Sequence, residues 1–185
     1  PVFCERIWGG RNLESFNFSI PQGNIGEAWV IAAHDNGSSK ITNGDLAGLT
    51  LKEAYEKQPS LFTEKVYDKF PLLIKILDAS DNLSVQVHPE DDYARVNENG
   101  ELGKTECWYV LDAKEGAKLV YGHTAKTKEE FNDKIDREQW QELFLEEEVK
   151  VGDFFYIPAG TLHAIGEGIL IYEVQQNSDT TYRVY

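Results

Sequence analysis

Apolar and polar residues alternate strictly along Leu83-Ser84-Val85-Gln86-Val87-His88-Pro89. Period two of this kind predicts a strand. Leu83, Val85 and Val87 then face a core, while Ser84, Gln86 and His88 share the other face. Pro89 ends the strand. A hydroxyl, an amide and an imidazole in one row, in an aromatic-rich β context, suit the inside of a small barrel that holds a ligand. Taken alone, the stretch is equally compatible with a solvent-facing polar edge.

The same patterning organises the rest of the chain. Residues 1–47 read as short strands and turns, with Ile7-Trp8-Gly9-Gly10 as an aromatic followed by a flexible turn. Glu27–His34 reads as a buried strand turning at Asp35-Asn36-Gly37, and Asn43-Gly44 is a second tight turn. Trp8 and Trp29 read as core aromatics. Thr50 and Glu53 have the spacing of a capping box, and Leu51, Ala54 and Tyr55 form a helical stripe. Pro59 breaks that pattern before a second short helix at Ser60–Lys65. Pro71–Leu77 is an apolar run with Lys75 at its centre, either an edge lysine that reaches water or a buried one that meets an anion. Residues 90–103 read as a polar loop that turns at Asn99-Gly100. In Lys104–Leu111, Lys104, Glu106 and Trp108 share one strand face, and Leu119–Gly122 is another strand. Thr127–Leu145 has the longest helical pattern, with Phe131, Ile135, Trp140 and Phe144 as its stripe. Gly152-Asp153, an aromatic strand and Pro158-Ala159-Gly160 then lead to His163 at the head of a strand. Ile169–Gln176 is the last long strand, with Glu173 and Gln175 on one face. Short strands with frequent turns and two helical insertions, at about 50–69 and 127–145, predict a mainly β single domain over 1–185, a sandwich or barrel.

Composition narrows the choice of partner. The chain has 185 residues and a formal net charge of −14, which argues against nucleic acid or an anionic membrane surface. An anionic small molecule needs cations gathered in one pocket. Two cysteines far apart in sequence, with no apolar run of membrane-spanning length, indicate a reduced, cytoplasmic protein.

Four side chains point the wrong way for a simple core: Gln86, His88, Glu106 and His163. One amide oxygen, one carboxylate and two imidazoles on different strands make a zinc set with room for water or substrate. A histidine on its own is more often structural. Two of them with an inward glutamate favour a metal.

Gly152-Asp153 followed by Pro158-Ala159-Gly160-Thr161-Leu162-His163 resembles the second motif of the cupin superfamily, whose fold is a β jelly roll. Leu83–Pro89, Gly103-Lys104-Thr105-Glu106, Pro158–His163, Glu173 and Ser178-Asp179 leading to Arg183 together resemble type I mannose-6-phosphate isomerases of the short bacterial form. Where cupins generally carry His-x-His, this chain has Gln86-x-His88, as those isomerases do. The resemblance implies one zinc ion per chain, held by Gln86, His88, Glu106 and His163. It implies catalytic roles for Arg183, Glu173 and Lys104, and contact of Ser84 and Lys75 with a sugar phosphate. The family interconverts mannose 6-phosphate and fructose 6-phosphate through an enediol, with Glu173 as the candidate base; the alternative for Glu173 is a structural pairing with Arg183. Family members of this form continue past position 185 into a second β-rich lobe. Its absence here implies exposed apolar surface and a route to self-association. Two rival readings are a non-catalytic cupin module that binds a sugar or a metal, and an iron oxygenase, for which Gln86 is a poor ligand.

Overall fold

The structure is a computed structural model that describes every residue except 63 and 66. Its strands form two antiparallel sheets and a small hairpin. In the first sheet β1 (Val2–Gly10), β2 (Ile25–Ile31), β5 (Leu72–Ala79), β12 (Ile169–Gln176), β7 (Glu106–Ala113) and β10 (Phe154–Ile157) lie in that order. In the second the order is β13 (Tyr182–Arg183), β6 (Gln86–Val87), β11 (His163–Ile165), β8 (Lys118–His123) and β9 (Phe144–Glu148). The hairpin pairs β3 (Ala33–His34) with β4 (Gly37–Ser38). This is the mainly β sandwich expected from the strand pattern, and the jelly roll that the cupin resemblance implies. Among the described residues no helix is long and apolar enough to cross a membrane.

The core lies between the sheets, where Leu77, Trp108, Val110 and Ile171 of the first meet Leu119 and Ile165 of the second. The first sheet is covered on its other face as well. Leu13, Phe16, Phe18 and Ile20 fold over Ala28, Ile76 and Leu170. A sheet buried on both faces needs continuous apolar strands rather than alternating ones, which accounts for the runs in β5 and β12. At the far side of that sheet Tyr109, Phe154 and Tyr156 stay exposed.

Several local expectations hold. Thr50 and Glu53 form both halves of a capping box on α1 (Leu51–Lys57), which buries Ala54 and Tyr55. Gly44, Asn99 and Gly100 have positive φ, as tight turns require. Trp29 is 2% exposed and belongs to the core.

Other expectations are corrected. Gly9-Gly10 is not a turn; it continues β1. A Cβ on Gly9 would stand 2.6 Å from the Ile25 carbonyl carbon, so glycine serves close approach of two backbones. Glu27–His34 is not one strand: the chain leaves β2 after Ile31 and starts the hairpin, with Ser38 Oγ donating to Ala32 O and Ser39 Oγ accepting from Ala32 N. Leu83–His88 is regular only at Gln86–Val87, although Leu83 N–H still donates to Ile165 O and Val85 N–H to Tyr185 O. Residues 91–97 form α2 (Asp91–Asn97), whose two first-turn aspartates favour a helix N-terminus. The expected helix over Thr127–Leu145 breaks in two: α3 (Lys128–Asp136) ends before Glu138, which has φ 55°, and α4 is Trp140–Leu143. Phe144 then opens β9, because its acidic run pairs with β8 and Glu146 meets Lys118 at 3.1 Å. Of the short helix expected at Ser60–Lys65, a single 3₁₀ turn over Pro59–Leu61 is present; residue 63 of that span lies outside the described residues.

Gly9→Ala is expected to destabilise the fold by about 1–3 kcal/mol through overpacking of β1 on β2. The urea midpoint measures it, and an unchanged midpoint would mean that the two strands have room to part.

Candidate metal centre

The second sheet places its polar residues in a row. Gln86 on β6 stands opposite Arg183 on β13 and opposite His163 on β11. His88 follows two residues after Gln86, so it emerges on the same side. From the first sheet, Glu106 opens β7 and points inward against them. His88, Glu106 and His163 are all buried, and one ligand atom from each lies within 4.8 Å of the others.

The hydrogen bonds of the two rings fix what those atoms offer. His88 Nδ1 is 3.0 Å from Thr180 O, and His163 Nδ1 is 2.8 Å from Thr161 O. A carbonyl can only accept, so each Nδ1 carries the proton and each neutral ring turns an Nε2 lone pair inward. Those two Nε2 atoms are 3.1 Å apart. Glu106 Oε2 is 3.5 Å from the first and Glu106 Oε1 3.3 Å from the second. Both carboxylate oxygens are buried, and their one cationic neighbour among the described residues is Lys104, whose Nζ pairs with Oε2 at 2.9 Å. The Gln86 amide lies 3.4 Å from His163 Nε2, and a half-turn of the amide presents its oxygen there. Buried lone pairs thus converge with no proton between the imidazoles. Such a donor set fits a divalent cation bound by nitrogen and oxygen.

The electrostatics agree. Burial depresses the pKa of His163 to about 4, and burial also lowers that of His88, so both rings stay neutral. Burial acts to raise Glu106, but Lys104, at 2.9 Å from Oε2, and both histidines outweigh it and hold the carboxyl ionised.

Beside this group runs a cleft of about 700 Å³, lined by Ser84, Gln86, Lys104, Glu173 and Arg183 among others. Lys104 Nζ also lies 3.1 Å from His88 Nε2, so the residue just before β7 reaches the centre. Glu173 is 3% exposed; its Oε2 accepts from Trp108 Nε1 at 2.9 Å, while its Oε1 is buried without a hydrogen bond. Burial first, and the Glu106 charge second, raise its pKa. Its ion-pair partner is Lys75, at 3.6 Å, so the alternative pairing with Arg183 does not hold among the described residues. Arg183 is exposed at the cleft. Lys75 is no edge lysine: β5 lies between β2 and β12, and Lys75 is 4% exposed between Glu27 and Glu173. Glu27 and Arg6 were not anticipated, yet both line the cleft. A lone charge inside the apolar run Ile25–Ile31 is the signal that would have found Glu27, as it found Lys75.

A two-sheet antiparallel jelly roll with a buried histidine–glutamate group between its sheets and a polar cleft beside it is a cupin-type protein. The chain belongs to the type I phosphomannose isomerases: its residues 1–111 match the model of the phosphomannose isomerase type I catalytic domain. It is 57% identical to mannose-6-phosphate isomerase ManA of Bacillus subtilis, over 100% of this chain and 59% of that protein. A crystal structure of mannose 6-phosphate isomerase from Bacillus subtilis superposes with a TM-score of 0.97 at 50% identity, covering 100% of this chain and 59% of that one. A zinc-bound mannose 6-phosphate isomerase shares the fold, with a TM-score of 0.73 at 18% identity over 99% of this chain and 68% of its own. The chain therefore spans about three-fifths of the Bacillus relatives it matches.

The acid side of the metal-free protein's stability follows from His163. Above pH 6.5 the ring is neutral folded and unfolded, and stability is full. Below it the unfolded chain takes up a proton that the fold refuses until about pH 4. Stability should fall across that window by about 3 kcal/mol and then level off with respect to this group. Glu27, with a pKa lowered to about 2, adds its own loss only below 4.5. Urea unfolding of chelator-treated protein across this range checks the slope, and His163→Gln should leave only the part that His88, also lowered by burial, contributes.

Proposed function

We propose that this chain is the catalytic part of a zinc-dependent aldose–ketose isomerase that interconverts mannose 6-phosphate and fructose 6-phosphate. The observation that carries the reading is the pair of inward Nε2 lone pairs beside the buried, ionised Glu106, at a cleft that also holds Glu173 with one oxygen that accepts no hydrogen bond. Family membership and the zinc-bound relative support the choice of metal. His88, His163, Glu106 and Gln86 would hold one zinc ion. When bound there, zinc polarises the sugar carbonyl and so acidifies the neighbouring C–H.

The remaining chemistry belongs to the chain's own side chains. Exchange between aldose and ketose removes a proton from one of C1 and C2 and delivers one to the other. Glu173 Oε1 takes and returns it: the oxygen has no other hydrogen-bond partner, and a raised pKa brings the carboxyl closer to the range useful for transfer at neutral pH. Trp108 holds the other oxygen and so fixes the direction of the free one. Lys104 Nζ, at the mouth of the donor group, moves a proton between the sugar oxygens. Arg183, opposite Gln86, stabilises the negative charge that develops on the enediolate. Ser84 offers a hydroxyl to the phosphate end. Lys75 lines the same cleft but already stands between two carboxylates, so it acts on the phosphate through its field alone. Free Cys4 and Cys107 fit a reducing cytoplasm as the place of work.

Metal analysis and an assay on mannose 6-phosphate test this reading, applied to this chain and to a version extended to the length of its relatives. One zinc per chain is expected. His163→Ala should abolish zinc binding, and retention of tightly bound zinc would remove the assignment of ligands. Arg183→Ala should keep the metal while losing about 10²-fold or more in kcat; an unaltered rate would reduce Arg183 to a structural role.

A further inference from the structure

Four side chains lie opposite one another across four neighbouring strands of the first sheet. Trp29 on β2 faces Lys75 on β5, Lys75 faces Glu173 on β12, and Glu173 faces Trp108 on β7. Glu27, two residues before Trp29, shares that face. Lys75 Nζ lies 3.5 Å from Glu27 Oε2, 3.6 Å from Glu173 Oε1 and 5.1 Å from the centre of the Trp29 ring. Both carboxylates are beyond an ordinary N–H···O contact, although a buried ammonium with one carboxylate partner would close on it. Lys75 is held between the two because neither anion is free to move. Glu27 accepts from Trp29 Nε1 at 2.6 Å and from Arg6 Nε at 2.7 Å. Glu173 accepts from Trp108 Nε1.

We propose that Glu27 is a positioning residue: by sharing the Lys75 ammonium it prevents Lys75 from capping Glu173 Oε1, and so leaves that oxygen open for proton transfer. The use of the oxygen rests on the reading of Glu173 as the base; the placement of Lys75 does not. Without the Glu27 charge, Lys75 has one carboxylate left. It then closes on Oε1, occupies the lone pair and stabilises the ionised form. The other charged groups near Glu173 and Lys75 are Lys104 and Glu106 towards the metal centre, Arg6 on β1 and Asp179 after β12. A substitution at Glu27 leaves the Lys104, Glu106 and Asp179 charges unchanged and takes from Arg6 its carboxylate partner.

Glu27→Gln tests the proposal, since an amide keeps the shape and can still accept from Trp29 or Arg6. Carboxyl ¹³C NMR, with Glu173 assigned by loss of its signal in Glu173→Gln, follows Glu173 without substrate. Its titration midpoint is expected to fall by roughly one unit in Glu27→Gln, and to stay near the wild-type value in Glu27→Asp. In the extended enzyme the acidic limb of the kcat profile should move to lower pH, with kcat reduced about tenfold and KM nearly unchanged. A midpoint that stays or rises overturns the proposal.

The field of Glu27 by itself would also lower that midpoint when removed, so the pair with Lys75→Met is decisive. In that background Glu27→Gln should shift Glu173 by clearly less; a full shift means that Glu27 acts directly, and the proposal fails. If Lys75→Met does not fold, proton exchange at the Lys75 ammonium replaces it: slower exchange in Glu27→Gln supports the closing of Lys75 on Glu173, and unchanged exchange overturns it. An inactive extended protein that shows the expected shifts would refute the isomerase reading and leave the positioning intact. An active one with an unmoved Glu173 would do the reverse.

Discussion

The constraint on which the site depends is a set of inward lone pairs that share no proton with one another and have the Lys104 ammonium as their one cationic neighbour among the described residues. Thr180 O and Thr161 O each take the Nδ1 proton of a histidine, and the two Nε2 atoms are left facing one another at 3.1 Å beside an ionised, buried carboxylate. Lys104 offsets part of the repulsion at Glu106 and His88, but the facing Nε2 pair has no proton between its two nitrogens, and low polarity makes that repulsion strong. The jelly roll holds it by bringing three chain segments together from two sheets. A slip of one residue in the pairing of β6 with β11 would turn Gln86 away from His163 and put Val85 or Val87 in its place. The register of short strands is therefore as much a part of the centre as the side chains. Its dependence reaches the last residues of the chain, because Thr180 precedes β13 and β13 pairs with β6.

The charges of the first sheet, buried at Glu27, Lys75 and Glu173 and partly exposed at Arg6, obey a different logic. Arg6, Glu27, Lys75 and Glu173 alternate in sign across four strands, and each is held by an ion-pair or indole partner. Ion pairs this deep gain little net stability, since desolvation offsets attraction, so they are weak evidence for a scaffold role. What they secure is position. An apolar replacement of the set would fold around the same two tryptophans but would leave the cleft without an ionisable wall. For a chain of net charge −14 the distribution matters more than the total: Arg6, Lys75, Lys104 and Arg183 all line one cleft, which is how an acidic protein can receive an anion.

Much of this was legible in the sequence, and the limits have physical causes. Alternation over residues 85–88 and in Glu106–Trp108 matches the inward side chains, because a strand's faces are set by its period even when it is short; Leu83, expected beside Val85, packs instead in the core between the sheets. β12 was read with its true bounds, since a continuous apolar run flanked by turns has few alternatives. The failures occur where tertiary contact overrides local pattern. Gly9-Gly10 looks like a turn until the backbone of β2 is seen lying against it. The stripe of Phe131, Ile135, Trp140 and Phe144 fits one helix by spacing, yet β8 offers the acidic run after Phe144 a partner strand that local sequence cannot reveal. α2 was missed because it is short and polar, with Ala94 its single buried residue. Glu27 is the lone charge of the apolar run Ile25–Ile31, as Lys75 is of Pro71–Leu77, so the same desolvation argument applies to both.

Trp108 connects the two halves of the cleft. Its ring meets His163 edge-on with centroids 5.4 Å apart, and its indole N–H holds Glu173 Oε2. The side chain is 1% exposed and packs in the core between the sheets, so it has little freedom to rotate. One rigid indole therefore orients a proposed metal ligand through its edge and the proposed base through its nitrogen. A tyrosine or phenylalanine there could fill much of the space but would lack a donor at that point. The carboxylate would then be free to swing towards Lys75, and the separation between proton transfer and metal binding would be lost. The identity of this core residue is thus set by chemistry at both ends of the ring as well as by volume.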